Sequence, residues 1–305
     1  MPLDPRARRW LAFVEAASKS SNEDEVARLR RATSSLADFA APAPPVERRE
    51  WAIEAPGRRL AARLYAPAGA DDSSLPGLVY FHGGGLVSGG LESHDALCAE
   101  LAAAAQCRLV AIDYRLGPEY RFPAAHDDAR EALRAVCAAA QALAIDPARL
   151  GIGGDSAGGG LATAAALDAG FPLKLLFLLC PVLDPLAREP SRFELARGYL
   201  IEEATLERYW ALYQIDDLSP DDPRVAPLRG ANLSVLPPTR IHTAEFDPLK
   251  GEGDALARAI VAAAGEARRI EHAGLIHHFY GLTGVIPAAR AALAEIGADL
   301  AEGLA

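Results

Sequence analysis

Apolar runs and helical patterns alternate along most of the chain. Short apolar or β-rich runs lie at 49–55, 59–66, 76–81, 108–113, 149–153, 173–180, 239–244 and 267–272. Ala- and Leu-rich helical stretches separate the later runs, at 92–105, 125–143, 157–168, 250–264 and 286–302. Pro-Gly-Arg between the first two runs suits a hairpin, whereas the other runs need helical crossovers and therefore parallel pairing. The pattern predicts an α/β fold with a mostly parallel eight-stranded sheet and helices on both faces.

Two segments fall outside this alternation. Residues 1–45 contain two helical patterns before a Pro-rich joint, and residues 186–226 contain a helical pair between two strands. The ranges 46–185 and 227–305 carry the alternating strands and helices. Helices outside the sheet register, with aromatic residues such as Tyr199, Tyr209 and Trp210, are consistent either with simple packing or with a lid over a site.

Composition narrows the classes of partner. The 305 residues are 50% hydrophobic and 24% charged, which is typical of a globular protein with a large core. The formal net charge of -10 argues against electrostatic binding to nucleic acid or to an anionic membrane. We therefore expect a small molecule as the partner, without nucleic acid or membrane.

The lack of a recognisable targeting signal and the spacing of the cysteines predict a cytoplasmic protein. The N-terminal stretch has no apolar core and no cleavage site of small residues, and no run approaches the roughly 18 apolar residues of a membrane helix. The four cysteines lie in apolar contexts without CxxC or CxxH spacing, so we expect reduced, buried thiols without a disulfide or a metal.

A serine motif follows the fifth apolar run and opens a helical stretch. Gly154-Asp155-Ser156-Ala157-Gly158 fits the pattern G-x-S-x-G. In a strand-to-helix elbow, small residues on either side let the tight turn form and leave the serine Oγ exposed. Ser156 is therefore a candidate nucleophile. The alternative is a Gly-rich helix start that only packs closely or holds a phosphate.

A run of three glycines follows the third apolar run, in His-Gly-Gly-Gly at 82–85. Consecutive glycines expose backbone N–H groups at a cost in chain entropy. Such donors can stabilise the oxyanion of an acyl transfer. A phosphate cradle would use similar amides, but the sequence has no GxxxxGK[ST] motif, so the two glycine motifs together favour an oxyanion hole.

These motifs belong to a larger set that spans the chain. The set comprises HGGG at 82–85, DYRLGPEYRFPAA at 113–125, GGDSAGGG at 153–160, DDPRVAPL at 221–228, AEFDPL at 244–249 and GLIHHF at 274–279. With it the sequence resembles the hormone-sensitive-lipase-like, or bacterial family IV, esterases of the α/β-hydrolase superfamily. The resemblance implies an α/β-hydrolase fold with a helical cap formed by 1–45 and 186–226. It also implies a serine carboxylesterase that acts on short- to medium-chain acyl esters without metal or cofactor.

The resemblance assigns roles to individual residues. Ser156 would be the nucleophile, His277 the general base and Asp247 the acid that orients the histidine. The oxyanion hole would be formed by the N–H groups of Gly84, Gly85 and Ala157. His82 would steady the glycine loop. The pocket would include Leu86, Val87, Tyr199, Leu200 and His278.

The acidic member has competitors within a few residues. It must lie in a loop at the carboxyl end of a strand, where Asp247 lies three residues past an apolar run. Glu252 and Asp254 fall in the start of the next helix, where carboxylates favour the helix dipole. Glu245 is the strongest alternative.

Two adjacent histidines, His277 and His278, are the candidates for the base. GLIHHF aligns with the family pattern G-x-x-H-G-F, which gives His277 the catalytic position and leaves His278 where a glycine is usual. The other histidines near or in regular elements, at 94, 126, 242 and 272, are expected to be caps or partly exposed polar residues.

Other functions remain open at this stage. An amidase, a lactonase or a deacetylase would use the same residues, and a non-catalytic ligand-binding member of the fold is a further alternative. The sequence also leaves open whether the chain forms a homodimer through the edge of the last strand.

Overall fold

An eight-stranded sheet lies at the centre of the computed structural model, which describes residues 1–17, 24–71, 73–215, 219 and 221–305. The strands are β1 Val46–Ala55, β2 Arg58–Pro67, β3 Leu75–Phe81, β4 Arg108–Asp113, β5 Ile145–Asp155, β6 Leu175–Leu179, β7 Thr239–Phe246 and β8 Ala267–Ile276. Their order across the sheet is β1-β2-β4-β3-β5-β6-β7-β8, and all pairs from β4 to β8 are parallel. The predicted α/β fold with a mostly parallel eight-stranded sheet is confirmed.

Helices cover both faces of this sheet. The α-helices that connect its strands are α3 Asp95–Ala104, α4 Ala124–Ala138, α5 Ala157–Leu167, α9 Lys250–Ala262 and, after β8, α10 Pro287–Leu304. Val79 and Phe81 of β3 pack in one apolar cluster with residues of α4 and α5, whereas Leu78 and Tyr80 pack with residues of α3 and α10. Because β3, β4 and β6 are buried on both faces, these strands are nearly continuous apolar runs in the sequence.

The predicted connection after β2 is wrong. β2 pairs antiparallel with β4 as well as with β1, so it runs against the rest of the sheet. Residues 68–74 join β2 to β3, and this segment is too short for a helical crossover to a parallel neighbour. β3 is therefore not a neighbour of β2, and β4 lies between the two strands.

The two segments outside the alternation form further helices. Residues 1–45 contain α1 Pro5–Ala17, α2 Glu25–Ser35 and the 3-10 helix Leu36–Phe39. Residues 186–226 contain the short α6 Pro190–Glu194 and α7 Glu203–Tyr213, followed by α8 Pro227–Gly230. An ion pair between Arg208 of α7 and Glu25 of α2 joins the two segments. Residues 18–23, 216–218 and 220 of these segments lie outside the described residues.

The edges of the sheet are β1 and β8. The edge of β8 is the surface considered for a homodimer, which stays a prediction. Among the helices of the described residues, none is long and apolar enough to cross a membrane. Three of the four cysteines are buried, Cys137 is half-buried, and all four are free thiols.

Candidate active site

Ser156 lies in the tight turn between β5 and α5. Its backbone has φ 51° and ψ -122°, a combination that non-glycine residues rarely adopt and that is typical of strained functional turns. Gly158 makes this turn possible, because a Cβ there would collide with the carbonyl oxygen of Phe81. The chain thus holds the Ser156 hydroxyl at the start of a helix, at the carboxyl edge of the sheet.

Asp247 and His277 follow the ends of the neighbouring strands β7 and β8. His277 Nδ1 lies 2.7 Å from Asp247 Oδ2, and His277 Nε2 lies 3.2 Å from Ser156 Oγ. All three side chains are buried. In this arrangement Nδ1–H donates to the carboxylate, which leaves Nε2 free to accept the hydroxyl proton of Ser156.

The protonation of His277 reflects two opposing effects. Burial lowers the pKa of His277, but the negative charge of Asp247 and the hydrogen bond to it outweigh burial, so the pKa is raised above the ordinary value of 6.5. The carboxylate therefore makes His277 a stronger base than an isolated buried imidazole.

The alternative acids are engaged elsewhere. Glu245 accepts a hydrogen bond of 2.7 Å from the backbone N–H of Gly274 and pairs with the N-terminal amine. Glu252 begins α9 as expected, but it is fully buried, 3.3 Å from the guanidinium of Arg192. Asp254 pairs with an arginine of β8. Of the four candidate carboxylates, the one that contacts His277 is Asp247.

The glycine loop after β3 is held by Asp155. Asp155 Oδ1 accepts hydrogen bonds from Gly83 N–H at 3.0 Å and from the Tyr80 hydroxyl at 2.9 Å. His82 Nδ1 lies 2.8 Å from the carbonyl oxygen of Gly83, and its ring stacks on Tyr114 at 4.3 Å between centroids. His82 thus contacts the loop that it was expected to steady.

Three backbone N–H groups remain for a ligand beside Ser156. Gly84, Gly85 and Ala157 line the same cavity as Ser156, and their N–H groups donate to none of the described residues. Gly85 adopts φ +64°, and a Cβ there would collide with the ring of Tyr209 in α7. The backbone favours glycine at this position, and the packing of α7 over the loop leaves no room for a side chain.

The cavity above Ser156 has a volume of about 550 Å³. Residues of both segments outside the sheet register line it, together with the glycine loop. Residues 1–45 contribute Trp10 and Phe39, whose rings meet edge to face with centroids 5.5 Å apart. Residues 186–226 contribute Leu206, Tyr209 and Trp210. The walls are mainly apolar, and polar side chains lie both beside Ser156 and between residues 28 and 38 of the N-terminal segment.

Only part of the predicted pocket lies on this cavity. Leu200 and His278 line it, whereas Leu86, Val87 and Tyr199 are not among the described residues that do. Leu86 and Val87 are buried, because this part of the loop turns into the protein. Tyr199 packs against Phe246 with ring centroids 5.3 Å apart. The predicted pocket contacts of these three residues are therefore corrected.

The remaining histidines are buried rather than partly exposed. His242 and His272 stack with their ring nitrogens 3.0 Å apart, and His126 lies 3.2 Å from the Tyr213 hydroxyl. His94 precedes α3 without a capping hydrogen bond from its side chain, and it lines the cavity. The expected partial exposure is wrong, because each ring finds polar or aromatic partners inside the protein. His94 does occupy the N-cap position of α3.

Sequence reasoning missed Asp155 and His94 as cavity residues. Asp155 occupies the variable position of G-x-S-x-G, and His94 comes from the start of a helix that the sequence alone does not place at the site. A signal was present for Asp155, because a charged residue directly after an apolar strand needs partners when it is buried.

Comparisons with known proteins place the chain in a family. A family model described as alpha/beta hydrolase fold matches residues 78–281. An ethyl acetate hydrolase of Pseudomonas putida is 36% identical over 302 residues, which are 94% of each chain. The carboxylesterase NlhH of Mycobacterium tuberculosis is 35% identical over 238 residues, 75% of this chain and 74% of that protein.

A solved structure is similar over nearly the whole chain. It is the ester hydrolase EH1AB1 from the metagenome of Lake Arreo, in complex with a derivative of bipyridine phosphonate. It is 34% identical, with a TM-score of 0.93 over 99% of each chain. The present chain therefore belongs to the hormone-sensitive-lipase-like esterases of the α/β-hydrolase superfamily, and it is a hydrolytic enzyme.

Proposed function

We propose that this chain is a serine carboxylesterase that hydrolyses short- to medium-chain acyl esters through Ser156, His277 and Asp247. The observation that carries the proposal is the continuous chain of hydrogen bonds from Asp247 through His277 to Ser156, at 2.7 and 3.2 Å. It ends in an apolar cavity beside backbone donors that have no acceptor among the described residues. The names of the relatives, an ethyl acetate hydrolase and a carboxylesterase, support esters as the substrate class.

Acylation begins with a proton transfer. His277 Nε2 takes the proton of Ser156 Oγ as Oγ attacks the ester carbonyl carbon, and the carbonyl π electrons move to its oxygen. The N–H groups of Gly84, Gly85 and Ala157 donate to that oxyanion. Asp247 stabilises the imidazolium. Collapse of the intermediate breaks the bond to the alcohol, which leaves with the proton from His277 Nε2.

Deacylation repeats these steps with water. His277 Nε2 takes a proton from a water molecule that attacks the acyl carbon, and the same N–H groups stabilise the second oxyanion. The acid leaves when the bond to Ser156 Oγ breaks and His277 returns the proton to Oγ. Besides the ester, the proposed cycle uses only residues of this chain and water.

The cavity supports a limit on substrate size. About 550 Å³ falls within the range of ordinary small-molecule sites, roughly 300–1,000 Å³. Its apolar walls suit an acyl chain or an alkyl or aryl alcohol, and the helices of both outer segments close over the glycine loop. We therefore assign short and medium acyl esters, rather than long-chain lipids, as the substrates.

Other substrates of the same chemistry form the second candidate. An amidase, a lactonase or a deacetylase would use the same nucleophile and oxyanion donors. A non-catalytic binding protein is less consistent with the site, because a ligand-binding site has no need for a histidine within hydrogen-bonding distance of the serine hydroxyl. Homodimer formation and a cytoplasmic location stay predictions.

A panel of p-nitrophenyl esters from acetate to palmitate tests the proposal, with Ser156→Ala as the control. We expect kcat/KM to be largest for short and medium chains and to fall toward palmitate, and the variant to lose the activity. Hydrolysis of none of these esters above the level of the variant would contradict an esterase. Amide, lactone and acetylated substrates are then assayed with the same pair of proteins.

A further inference from the structure

A second group of polar side chains lies on the cavity wall beside Ser156. His94, Asp155 and His278 each present one nitrogen or oxygen atom, and these three atoms lie within 4.8 Å of one another. All three residues line the cavity that contains Ser156. A small solute that enters the cavity can therefore reach them, and the proposed esterase mechanism uses none of the three as a proton donor or acceptor.

Asp155 divides its two oxygens between different tasks. Oδ1 holds the glycine loop through Gly83 N–H, whereas Oδ2 faces the Tyr280 hydroxyl at 3.1 Å and His94 Nε2 at 3.3 Å. Oδ2 is therefore the oxygen of Asp155 that faces His94, on the cavity side, whereas Oδ1 anchors the loop.

The hydrogen bonds of His94 leave its Nε2 without a proton in the neutral ring. Ser93 Oγ donates to the carbonyl oxygen of Gly90 at 3.0 Å, so it must accept from His94 Nδ1–H at 2.8 Å. Nε2 of the neutral tautomer is then an acceptor that faces the Asp155 carboxylate, another acceptor. Two acceptors that face each other repel, and a cation between them removes the repulsion. This cation is either a proton on His94 Nε2 or a metal ion bound by both atoms.

The distance between the two acceptors fits a metal ion. Bonds of about 2.0 Å in a tetrahedral zinc site place neighbouring ligand atoms roughly 3.3 Å apart. His94 Nε2 and Asp155 Oδ2 are 3.3 Å apart. Two of the ligands therefore already have the separation that a tetrahedral site needs.

His278 supplies the third ligand. Its side chain is 9% exposed, and its ring makes no hydrogen bond to any of the described residues. A Cβ at Gly281 would collide with His278 Nε2, so this glycine makes room for the ring.

We propose that His94, Asp155 and His278 form a binding site for a divalent transition-metal ion of the zinc type, and that occupation of this site inhibits the enzyme. Two imidazoles and one carboxylate are ligands that zinc accepts, with a fourth position open to water. The ion would occupy the cavity wall beside Ser156 and exclude substrate. Binding itself does not depend on the proposed function, whereas inhibition does.

The region around the proposed catalytic triad, Ser156, His277 and Asp247, offers a competing set of ligands. Cys180, Asp247 and His277 each offer one possible ligand atom, and these three atoms also lie within 4.8 Å of one another. An ion at that position would inhibit by removing the base, and it would be bound through a sulfur atom. The experiment must therefore distinguish a site of nitrogen and oxygen ligands from a site that contains a thiolate.

Calorimetric titration of the full chain with zinc chloride measures binding directly. We expect one site whose Kd rises at least about tenfold in His278→Gly and in His278→Asn, because each variant removes one ligand. Both replacements tolerate the left-handed backbone at this position, φ 60°, and circular dichroism checks that they fold. Unchanged affinity in both folded variants, or no binding to the wild type, would overturn the proposal.

Cobalt(II) then identifies the ligands. At the proposed site we expect visible absorption of low-symmetry cobalt without a near-ultraviolet thiolate-to-cobalt band, and the visible absorption should be lost in His278→Gly. A thiolate band that disappears in Cys180→Ser would place the ion at the triad and overturn the proposal.

Zinc inhibition of ester hydrolysis should raise KM in the wild type and require at least about tenfold more zinc in His278→Gly. A failure of the esterase proposal would appear separately, as no hydrolysis without metal.

Discussion

Asp247 Oδ2 and His277 Nδ1 lie 2.7 Å apart, although the two residues are separated by 30 positions in the chain. Asp247 directly follows β7 and His277 directly follows β8, and these strands are parallel neighbours. The carboxyl ends of neighbouring parallel strands meet at one edge of the sheet, so the register of the two strands brings the carboxylate and the imidazole together. Their contact is the basis of the first three predictions.

Replacement of Asp247 by asparagine should lower kcat by roughly 10³–10⁴. The amide cannot stabilise the imidazolium, and it favours the tautomer of His277 with the proton on Nε2. Steady-state kinetics with a p-nitrophenyl ester measures the loss. Glu245→Gln is the matched control, because Glu245 contacts Gly274 and the N-terminus rather than His277. A larger loss in the control than in Asp247→Asn would make Glu245 the acid.

The adjacent histidines should differ in their effects on turnover. His277→Ala should lower kcat by at least about 10⁴, because no other described residue lies within hydrogen-bonding distance of Ser156 Oγ as a base. His278→Gly should keep kcat within roughly tenfold of the wild type, since His278 lines the cavity without a contact to Ser156 Oγ. The same kinetic assay compares them, and the reverse order of the two losses would refute the assignment.

Activity should rise with pH through the pKa of His277. The base must be neutral to accept the Ser156 proton, and Asp247 raises its pKa above 6.5, so the midpoint of the acid limb of kcat/KM lies above pH 6.5. In Asp247→Asn the carboxylate is lost and burial dominates, so the midpoint of the residual activity should move to lower pH. A wild-type midpoint at or below 6.5, or a shift to higher pH in the variant, would be inconsistent with the pair.

Gly85→Ala should lower kcat about 10²–10³-fold. The added methyl group would collide with the Tyr209 ring, and relief of the collision turns the backbone N–H away from the oxyanion. Gly57→Ala is the matched control, because Gly57 also has a positive φ, +73°, but a Cβ added there would have no atom within 4 Å. The control should keep full activity with a small loss of stability. Equal activity of the two variants would exclude Gly85 from the oxyanion hole.

The alternation of apolar runs and helices predicted the central sheet well. All eight strands occur near their predicted positions. The signal was clearest for β3, β4 and β6, because strands buried on both faces are continuous apolar runs. The pairing of β2 with β4 was missed, since a hairpin signal identifies one neighbour of a strand but not the other. Local sequence patterns thus predicted the strands and helices, whereas the pairing of β2 with β4 depends on tertiary packing.

The predicted site divides in the same way. Ser156, Asp247 and His277 each follow a strand, so their meeting point could be inferred from the fold and the motifs. The cavity walls could not, because Trp10 and Phe39 reach the cavity from helices whose docking depends on tertiary packing. His278 occupies a left-handed backbone position, φ 60°, which explains why its place suits glycine but does not give the position of its ring.

The most direct test is to trap the acyl-enzyme. Rapid quenching of a reaction with p-nitrophenyl butyrate, followed by peptide mass spectrometry, should find one butyryl group per chain on the peptide that contains Ser156. Release of p-nitrophenol should show a burst equal to the enzyme concentration where deacylation is slower than acylation. Ser156→Ala should show neither the adduct nor turnover. A butyryl group on another residue, or turnover that persists in Ser156→Ala, would contradict the mechanism.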